Sequence, residues 1–392
     1  MTKSLGVIII GNGVAGPATA LALKMIGIDA TIYEAYPGPG DAVGTFLGIT
    51  PNGQDVLRTL GAYESVLADG YQTNEFHFAT TTGKSYGTVP ANTITIQRGH
   101  LTRALREKAL DAGVKIEWNK RLCDVQILDD DNVIAKFEDG SEVAANVLIA
   151  CDGIHSQVRN TVFPGSPHPA FTGLLSCSAY SRDTGLPSSG GQIEMVFGKK
   201  AFFSYLVKPN GDVFWFANLN ESTQPARGEL EAKGNEWWHR RLKDAFADDQ
   251  PFISDIIDKS QTPIIGYPIY DLATIPEWQK GPICLIGDAA HAPSPSAGQG
   301  ASMALEDSLV MAQCLRDLPN AKAALAKFVE LRKERAEKIV EQSRRNGSRK
   351  TPTNAFGRFI RDLLLPIFLK QGGDATKWMY DYHIDFASKV KG

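Results

Sequence analysis

Cysteine is scarce in this chain and scattered along it. Cys123, Cys151, Cys177, Cys284 and Cys314 are odd in number and nowhere form a C-x-x-C pair. That argues against a disulfide framework and against a zinc site, so no metal is expected, and it suits a reducing compartment. An excess of one charge is lacking too. Lys and Arg number 41 against 44 Asp and Glu, for a net charge of -3, which leaves no basic footprint for nucleic acid or for an anionic membrane surface. No apolar run reaches the roughly 20 residues of a membrane span. The opening "MTKSLGVIIIGNG" holds an apolar segment too short for a signal peptide, and it runs straight into a glycine loop. The expected location is therefore the cytoplasm. What remains is an ordinary globular composition, 43% hydrophobic and 22% charged over 392 residues, long enough for two or three domains.

The first positive signal is "LGVIIIGNGVAGPATALALKMIGIDATIYEA", Leu5 to Ala35. Val7–Ile10 is short and β-branched, the pattern of a buried parallel strand. Gly11, Gly13 and Gly16 then give G-x-G-x-x-G, a helix pattern follows from Pro17, and a second strand ends at Glu34. Gly11 permits the tight turn, Gly13 admits a pyrophosphate to the backbone, and Gly16 lets helix and strand pack closely. The helix N-terminus, with Val14 and Ala15 in the turn, offers free N–H groups and a positive dipole end to phosphate. Glu34, followed by Ala35, can accept hydrogen bonds from ribose hydroxyls. Glycine turns are common, but strand, loop, helix, strand and acid in this order mark a dinucleotide site. The unit does not decide between FAD and NAD.

Further along, the small apolar stretch "AVGTFLGI" (Ala42–Ile49) contains Gly48 and precedes a turn and helix at Thr50–Leu67. "TITIQRGHLTRALREKALDAG" reads as a strand delivering Arg98 to the start of an amphipathic helix, a ligand-facing position in α/β sheets. A β-meander spans Glu117–Gly153, with Leu122 near its start. It ends in a buried strand carrying Asp152 and Gly153. From 170 to about 270 the pattern changes to aromatic-rich alternating strands, with a hairpin at "KPNGD" and helices near Gly234–Phe246 and Phe252–Lys259. Phe202, Phe203, Tyr205, Phe214, Trp215 and Phe216 alternate between faces, so some of them line a pocket if one exists. After Gly281 comes "PICLIGDAAHAPSPSAGQG", then a long helix from Ala301, then helices to an amphipathic tail, "FGRFIRDLLLPIFLK". That tail is expected to pack on the body or at a dimer contact.

Three motifs now stand in order: GNGVAG with Glu34, "CDGIHSQVR", and "IGDAAHAPSPSAGQGASMALEDS". Together they resemble the single-component FAD-dependent aromatic hydroxylases, the flavoprotein monooxygenases typified by para-hydroxybenzoate, salicylate and urate hydroxylases, over nearly the whole chain. The resemblance implies FAD, with Gly11, Gly13, Val14, Ala15 and Gly16 on its pyrophosphate and Glu34 and Ala35 at the adenosine ribose. It implies Arg98 and Gly48 against the cofactor and the Leu122 backbone at adenine. Asp152 and Gly153 match a motif tied to FAD and NAD(P)H. Asp288 would bond the ribityl chain, Pro295 would lie near the ring, and Gly298, Gln299, Gly300 and Ala301 would present N–H groups to its pyrimidine edge. A helix N-terminus aimed there stabilises a reduced, anionic flavin. Where many members have Asn, this chain has Ser302.

The sequence thus predicts an α/β fold. A Rossmann-like FAD-binding domain (1–169 with 271–335) holds an inserted antiparallel-sheet substrate domain (170–270), and a helical tail (336–392) follows. The implied activity is insertion of one oxygen into an electron-rich aromatic or heteroaromatic small molecule, using NADH or NADPH and O2 through a C4a-hydroperoxyflavin. Epoxidation and Baeyer–Villiger oxidation are alternatives on the same scaffold, and a non-catalytic FAD-bound protein is a remote one. No second G-x-G-x-x-G occurs, so the nicotinamide nucleotide is expected to dock transiently. Lys200, Tyr205 and His291 are the pocket candidates, with His291 read chiefly as loop architecture. No base is assigned, and a monomer or homodimer is expected.

Overall fold

The computed structural model describes residues 5–41, 45–272, 274–348 and 355–391. Ala42, Val43 and Gly44 of the stretch before Gly48 lie outside it. Its first sheet has six strands in the order Gln279–Lys280, Ile283–Leu285, Val147–Ala150, Val7–Ile10, Ala30–Tyr33 and Lys115–Glu117. All neighbours pair in parallel except the antiparallel edge strand Gln279–Lys280. The central strands are buried along their whole length, which is why they read as unbroken apolar runs rather than alternating ones. Helices Ala15–Met25, Arg98–Asp111 and Gly300–Asp317 share this core, and the meander of Leu122–Asp129, Asn132–Phe137 and Glu142–Ala145 joins it through Val133, Ala135 and Phe137.

The second sheet has eight strands: Ile265–Asp271, Ala170–Ser181, Val213–Asn220, Ala201–Val207, Gln192–Phe197, Tyr71–Thr80, Ser85–Gln97 and Phe46–Ile49. Only the Gln192–Phe197 and Tyr71–Thr80 pair runs parallel. One face, with Phe203, Trp215, Ala217 and Cys177, packs under helices Gly234–Phe246 and Pro251–Asp258. The opposite face carries Phe202, Phe214 and Phe216. The fold is the α/β arrangement expected, but the strands divide differently from the boundary drawn at residue 170. Phe46–Ile49, Tyr71–Thr80 and Ser85–Gln97 lie in the segment assigned to the first domain, yet they pair into the second sheet. The boundary at 335/336 falls inside the continuous helix Ala321–Ser348. In the final helix, Ala355–Tyr380, Leu365 and Leu369 pack against Tyr86, Phe197 and Phe202 of the second sheet. No helix among the described residues is long and apolar enough to cross a membrane.

Candidate active site

The first glycine loop separates its three glycines by task. Gly11 has φ +103°, and a Cβ there would lie 2.5 Å from the Cys151 carbonyl oxygen. A Cβ on Gly16 would sit 2.0 Å from the Gly11 carbonyl oxygen. These two serve close backbone packing. Gly13 has nothing within 4 Å of the same construction, so its glycine keeps space open rather than avoiding a neighbour. Helix Ala15–Met25 starts with no side-chain cap and no acid in its first turn. Its N–H groups and dipole therefore face that space without an internal anion. Glu34 holds the loop: Oε2 accepts from Asn12 N at 2.7 Å and Oε1 from Tyr36 N at 3.0 Å. Lys120 N donates to the Glu34 carbonyl at 2.7 Å, which brings the segment leading to Leu122 beside the acid and Ala35. The buried Asn12 Oδ1 has no hydrogen-bond partner.

The second glycine loop is folded against the first. Gly287 has φ +56°, and a Cβ there would be 3.3 Å from the Ala304 Cβ and 3.4 Å from that of Ala15. Thr19 Oγ1 and Ser308 Oγ, 3.0 Å apart, tie helix Ala15–Met25 to helix Gly300–Asp317. The latter also begins with neither a side-chain cap nor an acid in its first turn. Gly298 (φ +63°) follows the turn Pro295–Ala297 and borders open space. Between the two helix starts lies Asp288, whose Oδ1 would be 3.9 Å from a Cβ on Gly300. Burial pushes its carboxyl up, and the nearby charge of Arg98 opposes that. Among the described residues its carboxylate has no hydrogen-bond partner. The exposed Arg98 opens helix Arg98–Asp111, and its N–H donates to the Thr45 carbonyl at 2.9 Å.

Asp152 Oδ2 accepts from Val158 N at 3.0 Å, and burial raises this carboxyl as well. Gly153 (φ +79°) borders open space. The buried Arg159 donates to the carbonyls of Ala289 at 2.8 Å and Ile154 at 2.5 Å, so one side chain clamps the two turns together.

A buried charge network behind the second loop was not read from the sequence. His291 Nε2 lies 2.6 Å from Asp307 Oδ2, which also accepts from Gly287 N at 2.9 Å. Arg332 bridges Asp307 Oδ1 at 2.7 Å and Glu306 Oε2 at 2.6 Å, with all three side chains fully buried. Arg335 adds contacts to both Glu306 oxygens at 2.9 and 2.8 Å. Glu306 Oε1 accepts from Asn52 Nδ2 at 2.6 Å, and Asn52 Nδ2 also donates to Gln299 Oε1 at 3.0 Å. Ser302 Oγ is 2.7 Å from Thr50 Oγ1. A Cβ on Gly53 would collide with it at 2.4 Å, so at this crowded point the small serine stands where a longer side chain would need space. The signal for the network was present: two adjacent acids inside the apolar helix "SMALEDSLVMA", and arginines three apart downstream.

His291 is buried, with its ring 5.0 Å from that of Trp278. Two other pocket candidates are corrected. Lys200 sits in the exposed turn between two strands, 58% exposed and paired to Asp248 at 3.0 Å. Tyr205 shares the parity of Phe203 and so points under the helices, against Phe252 at 5.8 Å between ring centres. Lys200→Ala is expected to change stability by under about 0.5 kcal/mol, since exposed ion pairs contribute little. A thermal melt and a turnover assay check this, and a loss of turnover would return Lys200 to the site. Gly48 lies on strand Phe46–Ile49 opposite Thr95.

The residues fit a flavin dinucleotide. Two uncapped helix starts, open glycines at Gly13 and Gly298, an orphaned buried Asn12 oxygen and an unbonded half-buried Asp288 all converge between two loops. The fold and site thus define a Rossmann-type dinucleotide-binding protein with an aromatic-lined sheet beside it. The profile of the FAD binding domain family matches residues 4–343. The chain is 28% identical to aurachin C monooxygenase/isomerase of Stigmatella aurantiaca, covering 96% of this chain and 97% of that protein. It is 26% identical to 6-hydroxynicotinate 3-monooxygenase of Pseudomonas fluorescens, over 88% of this chain and 92% of the relative. The fold superposes on Klebsiella pneumoniae HpxO complexed with FAD and uric acid with a TM-score of 0.84 at 21% identity, covering 95% of this chain and 97% of that one. The chain belongs to the FAD binding domain family and is a flavoprotein monooxygenase.

Proposed function

We propose that this enzyme hydroxylates an electron-rich aromatic or heteroaromatic small molecule. One atom of O2 enters the substrate, the other leaves as water, and NADH or NADPH supplies the two electrons. The observation that carries the reading is the joint between the two loops, the second of which is tied through Ala292 to Leu272, next to the end of an edge strand of the eight-stranded sheet. FAD, when bound, supplies the electron transfer and oxygen activation. The chain's own residues supply binding and electrostatics. Gly11–Gly16 would hold the pyrophosphate, Glu34 and Ala35 the adenosine ribose, and Leu122 the adenine. Asp288 would accept from the ribityl hydroxyls, with Arg98, Gly48, Asp152 and Gly153 around them. The N–H groups of Gln299, Gly300 and Ala301 would face the edge that becomes anionic on reduction, with Pro295 beside the ring and Gly298, whose own N–H donates to the Pro295 carbonyl at 3.0 Å, shaping the turn. In this reading 1–169 and 271–335 form the cofactor unit, lending three strands to the substrate sheet. Relatives that act on hydroxylated heteroaromatics support the substrate class.

The test is direct. The purified protein should carry about one FAD per chain, and NADH or NADPH oxidation should rise several-fold with a fitting aromatic, whose product gains one oxygen by mass spectrometry. A protein that cannot be reconstituted with FAD, or whose reductant oxidation ignores every aromatic tested, would sink the proposal.

A further inference from the structure

The buried charge network behind the second glycine loop runs into the helix start that would face the flavin edge. Gln299 immediately precedes helix Gly300–Asp317, and its side chain is fully buried. Its Nε2 donates to Thr50 Oγ1 and its Oε1 accepts from Asn52 Nδ2, both at 3.0 Å. Asn52 Nδ2 also donates to Glu306 Oε1, and Arg335 donates to both oxygens of Glu306. Gln299, Asn52, Glu306 and Arg335 thus form one hydrogen-bonded chain. Thr50 precedes helix Pro51–Thr59 without capping it, and its hydroxyl meets Asn52 and Ser302 at this joint instead.

Glu306 lies seven residues past Gln299, about 10 Å along the helix axis. An anion buried there is weakly screened, and it opposes the negative charge that a reduced flavin gains at the helix start. The next residue, Asp307, is a second buried anion. Arg332 is shared between the two, at 2.6 Å from Glu306 and 2.7 Å from Asp307. One cation for two anions leaves a deficit, which Arg335 meets on the Glu306 side while His291 stands on the Asp307 side. Arg335 is itself fixed, donating to the Trp378 and Met379 carbonyls at 2.8 Å each, with its guanidinium 3.9 Å from the Tyr382 ring centre. Stability alone does not account for such a cluster, because apolar residues of the same shape serve it as well or better than buried ion pairs.

We propose, resting on the monooxygenase reading above, that Glu306 and Arg335 are positioning residues that set how readily the flavin accepts electrons. Asn52 ties Gln299 to this pair and so fixes the N–H groups at the helix start. The balance between the carboxylate and the guanidinium sets the charge behind them.

The experiment uses the FAD-loaded full chain, reduced in equilibrium with a dye of known potential, each flavin taking up two electrons and one proton. Glu306→Gln removes the charge but keeps an oxygen for Asn52. At a fixed poise its reduced-to-oxidised flavin ratio should rise about ten-fold, roughly 30 mV for a two-electron couple. Arg335→Gln should lower the ratio several-fold, and Arg335→Lys, which keeps the charge, should stay within about two-fold of wild type. Asn52→Ala leaves every charge in place and should weaken FAD binding several-fold by loosening Gln299. A network that only holds the fold together would lower the melting temperature of both charge variants and move their ratios in the same direction or not at all. Either of those results in the ratios overturns the proposal. If Glu306→Gln does not fold, the contrast between Arg335→Gln and Arg335→Lys decides, and equal ratios for those two overturn it. Opposite shifts in a protein whose NAD(P)H oxidation ignores every aromatic leave this proposal standing and remove the monooxygenase reading instead.

Discussion

Gly13→Ala is expected to fold normally and to lose most of its flavin. A Cβ at this position meets no protein atom within 4 Å, and the backbone there is not left-handed. The added methyl therefore costs the apoprotein little, but it occupies the space before the uncapped start of helix Ala15–Met25. Loss of one or two charge-assisted N–H contacts, at about 1.5–3 kcal/mol each, weakens FAD binding roughly ten- to a hundred-fold or more. Gly16→Ala should behave in the opposite order. Its Cβ would lie 2.0 Å from a backbone oxygen that cannot move without opening the turn, so the fold itself suffers. Flavin content by absorbance and melting temperature of the stripped protein separate the two variants. If Gly13→Ala retains full flavin affinity, the open space in front of it is not the phosphate site.

Arg332→Met should be the most destabilising single change in the cofactor unit. It leaves Glu306 and Asp307, both fully buried, short of their shared cation. Breaking a buried pair from one side costs about 3–5 kcal/mol. Burial alone would raise the Asp307 carboxyl, yet the charges of His291 and Arg332 bring it down to about 2, below the ordinary 3.8. A depressed carboxylate contributes stability above its unfolded value and loses it as pH falls through the folded one. The gap between wild type and variant should therefore be full at pH 7 and narrow between about pH 4 and 2. Denaturant melts across that range measure it. Adding Asp307→Asn to Arg332→Met should recover part of the loss by removing one stranded charge. A constant gap across pH would mean that the cost is packing of the arginine stem, not charge.

The two glycine loops were legible because their signal is local. A left-handed φ at Gly11 and a backbone approach at Gly16 are sterically closed to other residues, so the spacing survives in the sequence. The alternation of aromatics from Phe202 to Phe216 was equally plain, but alternation is symmetric. It says that Tyr205 and Ser204 face opposite ways, not which of them faces the cofactor. The structure puts Tyr205 against Phe252 under the helices and Ser204 on the opposite face. Lys200 shows a related limit: it adjoins an aromatic strand in the sequence but belongs to an exposed turn.

By itself the chain's sequence determined the parallel sheet, the glycine turns, the uncapped helix starts and hence the dinucleotide site, since each depends on φ preference, steric closeness or periodicity over a few neighbouring residues. Tertiary structure alone decided which strands join the second sheet, which of its faces the helices cover, and that Arg332 closes on acids 25 and 26 residues earlier. Those outcomes depend on burying the right surface and neutralising the right charge across long chain separations, and no local pattern encodes them.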